Sequence, residues 1–199
     1  MFSRSCRLHR KPSAFLIDRD RITWYCMIKE IAMDLAKFDK LDIVLICGLY
    51  GSGKNEFATK HFLGKDRSRV SRSDIRKHMY EMTHFGEKWE AGRFSEENDA
   101  LVKHIERKIV EHFLQLKKHI LIINTFVSKK SRSGLVDTAR HMRKTIGAVF
   151  LNRPLEECLE RNKRNVVVVP QEVIYSMFHR IELPEKSEGF DEVAVVTFK

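Results

Sequence analysis

Leu41-Asp42-Ile43-Val44-Leu45-Ile46-Cys47-Gly48-Leu49-Tyr50-Gly51-Ser52-Gly53-Lys54-Asn55 is the stretch that decides the fold. Its first half is a short apolar run interrupted only by Asp42, the pattern of a strand covered on both faces in a parallel sheet. Its second half has the spacing Gly48-x-x-x-x-Gly53-Lys54, which curls the backbone so that N–H groups and the following helix N-terminus converge on a phosphate. Glycines permit the tight path, and Lys54 is placed to bridge the outer phosphates of a nucleotide. Gly48, Gly51, Ser52, Gly53, Lys54 and Asn55 are therefore the expected nucleotide-binding residues. Asn55 stands where this motif carries Ser or Thr, whose hydroxyl binds Mg²⁺; an amide oxygen can also ligate that ion, which makes Asn55 the candidate metal ligand.

Outward from the loop, strands and helices alternate. Residues 55–62 read as a helix stopped by Gly64, and 68–71 as a short second strand. A long helix starts near Ser95 and runs to about Lys118, with Leu101, Val102, Ile105, Ile109, Val110 and Phe113 as its apolar stripe. Strands are expected at 119–124, 147–151 and 193–198, and helices at 132–144, 154–162 and 171–181. The fold class is α/β: a three-layer fold around a central, mostly parallel sheet of about five strands, with ligands expected beyond the strands' carboxyl ends. Residues 41–199 read as one domain, preceded at 1–40 by a basic arm and a helix over 22–38.

Composition narrows the classes. Hydrophobic residues make up 43% and charged residues 32%, as in soluble globular proteins, and no apolar run is long enough to span a bilayer. Cys6, Cys26, Cys47 and Cys158 lack metal or disulfide spacing, which points to a reducing, cytoplasmic compartment. Arg4, Arg7, Arg10 and Lys11, without an acid before Asp18, offer a mitochondrial transit segment as the alternative. The net charge of +10 draws polyanions and phosphorylated substrates, and a generally basic solvated surface accounts for it equally well.

The ordered series of motifs resembles the polynucleotide 5′-hydroxyl kinase branch of the P-loop kinases, which is similar to the zeta-toxin kinases. Gly48 to Lys54 matches the family's loop, Arg72-Ser73-Asp74-Ile75-Arg76 its second-strand signature, and Asn124-Thr125-Phe126, leading to Arg132, its third-strand end. Arg161-Asn162, Arg164 and Val169-Pro170 match its lid, and Glu188-Gly189-Phe190-Asp191-Glu192-Val193 its tail. The resemblance implies a P-loop NTPase fold, ATP with Mg²⁺, and transfer of the γ-phosphate to a hydroxyl on a polynucleotide 5′-end or a small molecule. It implies catalytic roles for Lys54, Asp74, Arg76, Arg161 and Arg164, and acceptor contacts by Arg76, Asn124 and Thr125. Departures fall on the acids: Ser73 replaces the general base, Asn124 the acid that organises Mg²⁺, and Phe126 an Asn. The competing reading is a degenerate P-loop protein that binds nucleotide without turnover. Tyr80, Phe85, Trp89 and Phe94, between the second strand and the long helix, either cap the sheet edge or stack an acceptor base.

Overall fold

A computed structural model describes residues 35–90 and 96–198. The expected arm, most of the first helix, and Phe94 lie outside the described residues. The sheet has five strands: β1 (Ile43–Gly48), β2 (Arg67–Val70), β3 (His119–Ile123), β4 (Ile146–Asn152) and β5 (Glu192–Thr197). They run in the order β2-β3-β1-β4-β5, and every pairing is parallel. The helices are α1 (Lys54–Phe62), α2 (Arg72–Thr83), α3 (Glu96–Gln115), α4 (Lys129–His141), α5 (Leu155–Lys163) and α6 (Gln171–Phe178).

β1 is central because both its faces are apolar. Ile43, Leu45 and Cys47 point to one side, where they meet Val110 and Leu114 of α3 and Leu135, Val136 and Ala139 of α4. Val44 and Ile46 point to the other, against Phe57, Ala58 and Phe62 of α1 and Leu35 and Phe38. That two-residue alternation between helix layers is what a continuous apolar run requires of a central parallel strand. Of the expected 22–38 helix, only its end is described, and there the chain makes a 3-10 turn over Ala36–Lys40 with Phe38 buried.

Two expectations shift. Ser73 and Asp74 do not extend the second strand: Ser71 stays extended, and Arg72 opens α2, putting both residues in the helix's first turn. The packing face of α3 is offset from the expected stripe. Val102, Glu106, Val110 and Leu114 are buried, while Leu101 is 48% exposed. The rotation follows from a carboxylate on the inner line of the helix, where counting apolar residues alone passes over it.

Candidate functional site: a cationic cavity at the phosphate loop

Because all strands run parallel, the carboxyl ends of β1, β2 and β3 share one edge, and the loops leaving them enclose a cavity of about 200 Å³. Gly51, Gly53, Lys54 and Asn55 line it from the first loop, and Ser73 and Arg76 from α2. Asn124, Thr125 and Arg161 close it from β3 and α5.

The loop between β1 and α1 is built on left-handed glycines. Gly53 caps α1 at φ 89°, and Gly51 has φ 78° with no room for a Cβ, which would sit 2.1 Å from the Cys158 carbonyl oxygen. The Gly48 N–H donates to the Thr125 carbonyl at 2.9 Å, tying the loop to the end of β3. Lys54 Nζ folds back into this curl and donates to the carbonyls of Gly48 at 3.0 Å and Leu49 at 2.6 Å. Burial lowers the pKa of that ammonium to about 8.

Two further cations face the loop. Arg161 donates through Nε to the Gly51 carbonyl at 2.9 Å and through Nη2 to Glu56 Oε1 at 2.7 Å. Arg76 donates through Nη2 to Asp99 Oδ1 at 2.6 Å, and Lys103 holds the other Asp99 oxygen at 2.8 Å. Burial works to raise the Asp99 pKa, but Lys103 and Arg76 outweigh it and keep the carboxylate ionised.

Asp74 and Arg164 stand outside the cavity lining. Asp74 pairs with Arg69 Nη1 at 2.7 Å on a half-exposed surface. Arg164 is exposed at the C-cap of α5, and its neighbour Asn165 reaches the cavity instead. The chain beyond α5 is held by Asn162, buried to 1% exposure, whose side chain donates to the Val169 carbonyl at 2.7 Å and accepts from the Val169 N–H at 3.1 Å.

Behind the end of β3 lies a buried polar group that sequence reading missed. Glu106 Oε2 accepts from Arg72 Nε at 2.7 Å and pairs with its Nη2 at 2.6 Å, while the Arg72 guanidinium lies over the Phe126 ring at 5.0 Å. The Asn124 amide flanks the same carboxylate. Burial raises the Glu106 pKa, and Arg72 and Asn124 oppose that shift. Arg132, expected in a basic turn, is fully buried: it holds Glu188 through Nε at 2.8 Å and Nη2 at 2.7 Å, and donates Nη1 to the Phe126 carbonyl at 2.8 Å. The signal for Glu106 was its position four residues from both Val102 and Val110.

A second cavity, of about 100 Å³, adjoins the first and shares Arg76. Tyr80 and His84 stack there at 4.0 Å with planes 13° apart, and Trp89 meets Tyr80 edge-on at 5.6 Å. Phe85 is fully exposed and takes no part.

Residues 43–184 match the family model AAA_33, described as an AAA domain. The chain belongs to that family. No curated protein matches this AAA domain. Solved structures of the same fold include a chain of the Pnkp1/Rnl/Hen1 RNA repair complex, at 20% identity and TM-score 0.56 over 69% of this domain's chain and 43% of that one. A gluconokinase from Sinorhizobium meliloti 1021 aligns at 13% identity and TM-score 0.52 over 77% and 81% of the two chains. AvrRxo1-ORF1:-ORF2 with ATP aligns at 16% identity and TM-score 0.54 over 79% and 53%. The AAA domain thus spans less than half of the RNA-repair chain, and at these identities the likeness is one of fold. It is a P-loop kinase-like fold, and among the described residues no helix is long and apolar enough to cross a membrane.

The donor set of the cavity does not suit Mg²⁺, which prefers carboxylates and phosphate oxygens in octahedral array. Asn55 Oδ1 faces Arg69 Nη2 at 3.4 Å. Asn124 Oδ1 accepts from the Thr125 N–H at 2.8 Å, which leaves its Nδ2 on the Glu106 side. Ser73 Oγ is hydrogen-bonded to Ser71 Oγ at 2.7 Å. The cavity's carboxylate, Glu56, is ion-paired with Arg161.

Proposed function

We propose that this domain binds ATP at the Gly48–Asn55 loop and transfers its γ-phosphate to a hydroxyl acceptor. The observation that carries the reading is the convergence of Lys54, Arg76 and Arg161 on the cavity that the loop encloses. In the step, the acceptor oxygen forms a bond to the γ-phosphorus as the β–γ bridging bond breaks, and ADP leaves. The acceptor's proton departs late, to a phosphoryl oxygen and then to water, because the transition state is loose. Lys54 and Arg161 stabilise charge on the transferring group, and the loop N–H groups hold the inner phosphates. Arg76, shared by both cavities, orients the acceptor, with Asn124 and Thr125 opposite. Asp74 and Arg164 act at most indirectly, as their side chains lie outside the lining. Among the described residues lining the cavity, the carboxylate that Mg²⁺ would meet is Glu56, which is paired with Arg161, and no step here runs through the ion that the family resemblance implies.

The Tyr80–His84–Trp89 group beside Arg76 favours an acceptor carrying a flat ring, such as the terminal nucleoside of a 5′-hydroxyl polynucleotide, over a bare polyol. The reading takes residues 41–199 as the transferase domain and 1–40 as a basic arm. It places the protein in the cytoplasm, with the mitochondrion as the alternative offered by the Arg-rich start. The second reading, a nucleotide-binding protein without turnover, is favoured by the neutral side chains Asn55, Ser73 and Asn124 at the acid and metal positions. The test is transfer of labelled γ-phosphate from ATP to a panel of 5′-hydroxyl oligonucleotides, nucleosides and polyols. Labelled acceptor, lost in Lys54→Ala, supports the transferase. ATP binding without product from any acceptor supports the second reading.

A further inference from the structure

The cavity's charge is arranged for a naked polyphosphate. Lys54, Arg76 and Arg161 face it with Glu56 as the carboxylate in the lining, and Glu56 is committed to Arg161 at 2.7 Å. The oxygens that would coordinate a cation are neutral and already engaged: Asn55 Oδ1 with a guanidinium, Asn124 Oδ1 with a backbone N–H, and Ser73 Oγ with Ser71.

One acid near the end of β3 has its charge turned away from the cavity. Glu106 sits behind Asn124 at 2% exposure, and its charge is taken up by Arg72 at 2.6 Å. An Asp in place of Asn124 would set a second carboxylate against Glu106 in a buried site, where like charges cannot both ionise at ordinary cost. The amide at 124 is therefore the group that this packing admits, and negative charge for a metal is withheld from the cavity wall.

Resting on the nucleotide-binding reading above, we infer that the site takes the triphosphate directly, cation to phosphate, without a divalent metal. The polyphosphate binds Arg161 with Glu56 still paired to it and displaces the Gly48 and Leu49 carbonyls from Lys54, exchanging internal contacts for charge-assisted bonds to phosphate oxygens. A metal ion bound to the same phosphates would compete with Arg161 and Arg76 for them. ATP should accordingly bind as well in its free form as in its Mg²⁺ complex.

The experiment is calorimetric titration of the full chain with ATP, in EDTA and in excess Mg²⁺ at one ionic strength, repeated with Arg161→Ala. Arg161 is 40% exposed, so its truncation leaves the core untouched. The inference expects affinities within about twofold in the two media, and a loss of about tenfold or more on Arg161→Ala in EDTA. Tightening by Mg²⁺ of about tenfold or more overturns it, and abolition of that gain in Glu56→Gln would identify the overlooked ligand. Unchanged affinity in Arg161→Ala also overturns it. Absence of ATP binding in both media removes the nucleotide reading itself and the inference with it.

Discussion

At the scale of residues, the site is set by charge in confined space. Lys54 carries the clearest consequence, since burial brings its pKa to about 8. Phosphate binding favours the charged form and so raises that pKa in the complex. Affinity is then full below about 8, where the ammonium is already protonated, and falls as pH rises through that value. The slope should approach tenfold per pH unit until the pKa of the complex is reached. Titrations of ATP from neutral to alkaline pH check this, and an affinity that stays flat through pH 9.5, about one and a half units above that pKa, counts against an ammonium acting on phosphate. A second residue-scale outcome concerns Ser73, which lines the cavity beside Ser71. Ser73→Asp should raise transfer by up to roughly 10²–10⁴-fold, the worth of a positioned general base. The check is the single-turnover rate, and no gain at saturating ATP and acceptor would show that Ser73 does not face the acceptor oxygen.

At the scale of elements, the β3–α4 connection is held from behind by Arg132, which joins the Phe126 carbonyl to Glu188 in the tail. Since Arg132 is fully buried and Glu188 nearly so, Glu188→Gln leaves an uncompensated guanidinium and should cost about 3 kcal/mol, read as a lowered urea midpoint. The double variant Arg132→Met/Glu188→Gln should cost less than the sum of the singles, whereas additive losses would mean that the pair is not coupled. The loop after α2 offers a different outcome. Trp89→Ala should weaken ring-bearing acceptors by about 1–3 kcal/mol in KM and leave polyols unchanged, because stacking is what that wall supplies. Equal effects on both acceptor classes would remove the ring preference. The alternation of elements was legible in the sequence because central strands and amphipathic helices write their burial into residue type. β2 was faint for a physical reason: an edge strand of Arg67, Ser68, Arg69 and Val70 has little apolar surface to bury. The change from strand to helix at Arg72 escaped notice because the motif reading laid Ser73 and Asp74 on a strand.

At the scale of the whole molecule, the nucleotide side of the site could be read from one contiguous stretch, Gly48 to Asn55, since consecutive backbone builds it. The other walls come from α2, the end of β3 and α5, and nothing local in the sequence says which of their side chains face inward. Asp74 and Arg164 were named from motif position, and the fold turns the first toward Arg69 and leaves the second exposed at a helix end. The pairings of Glu106 and Glu188 escaped because their partners, Arg72 and Arg132, are 34 and 56 residues away. The net charge of +10 adds a molecule-wide expectation. For a polynucleotide acceptor, the logarithm of affinity should fall linearly with the logarithm of salt concentration, by about 0.7 per phosphate contacted on a single strand. The central claim, that the Gly48–Asn55 loop holds a nucleoside triphosphate through Lys54, is tested most directly by the ATP affinity of the full chain measured beside that of Lys54→Ala at neutral pH. The account predicts a loss of about tenfold to a hundredfold in the variant, the value of one charge-assisted phosphate contact, and equal affinities in the two proteins would contradict it.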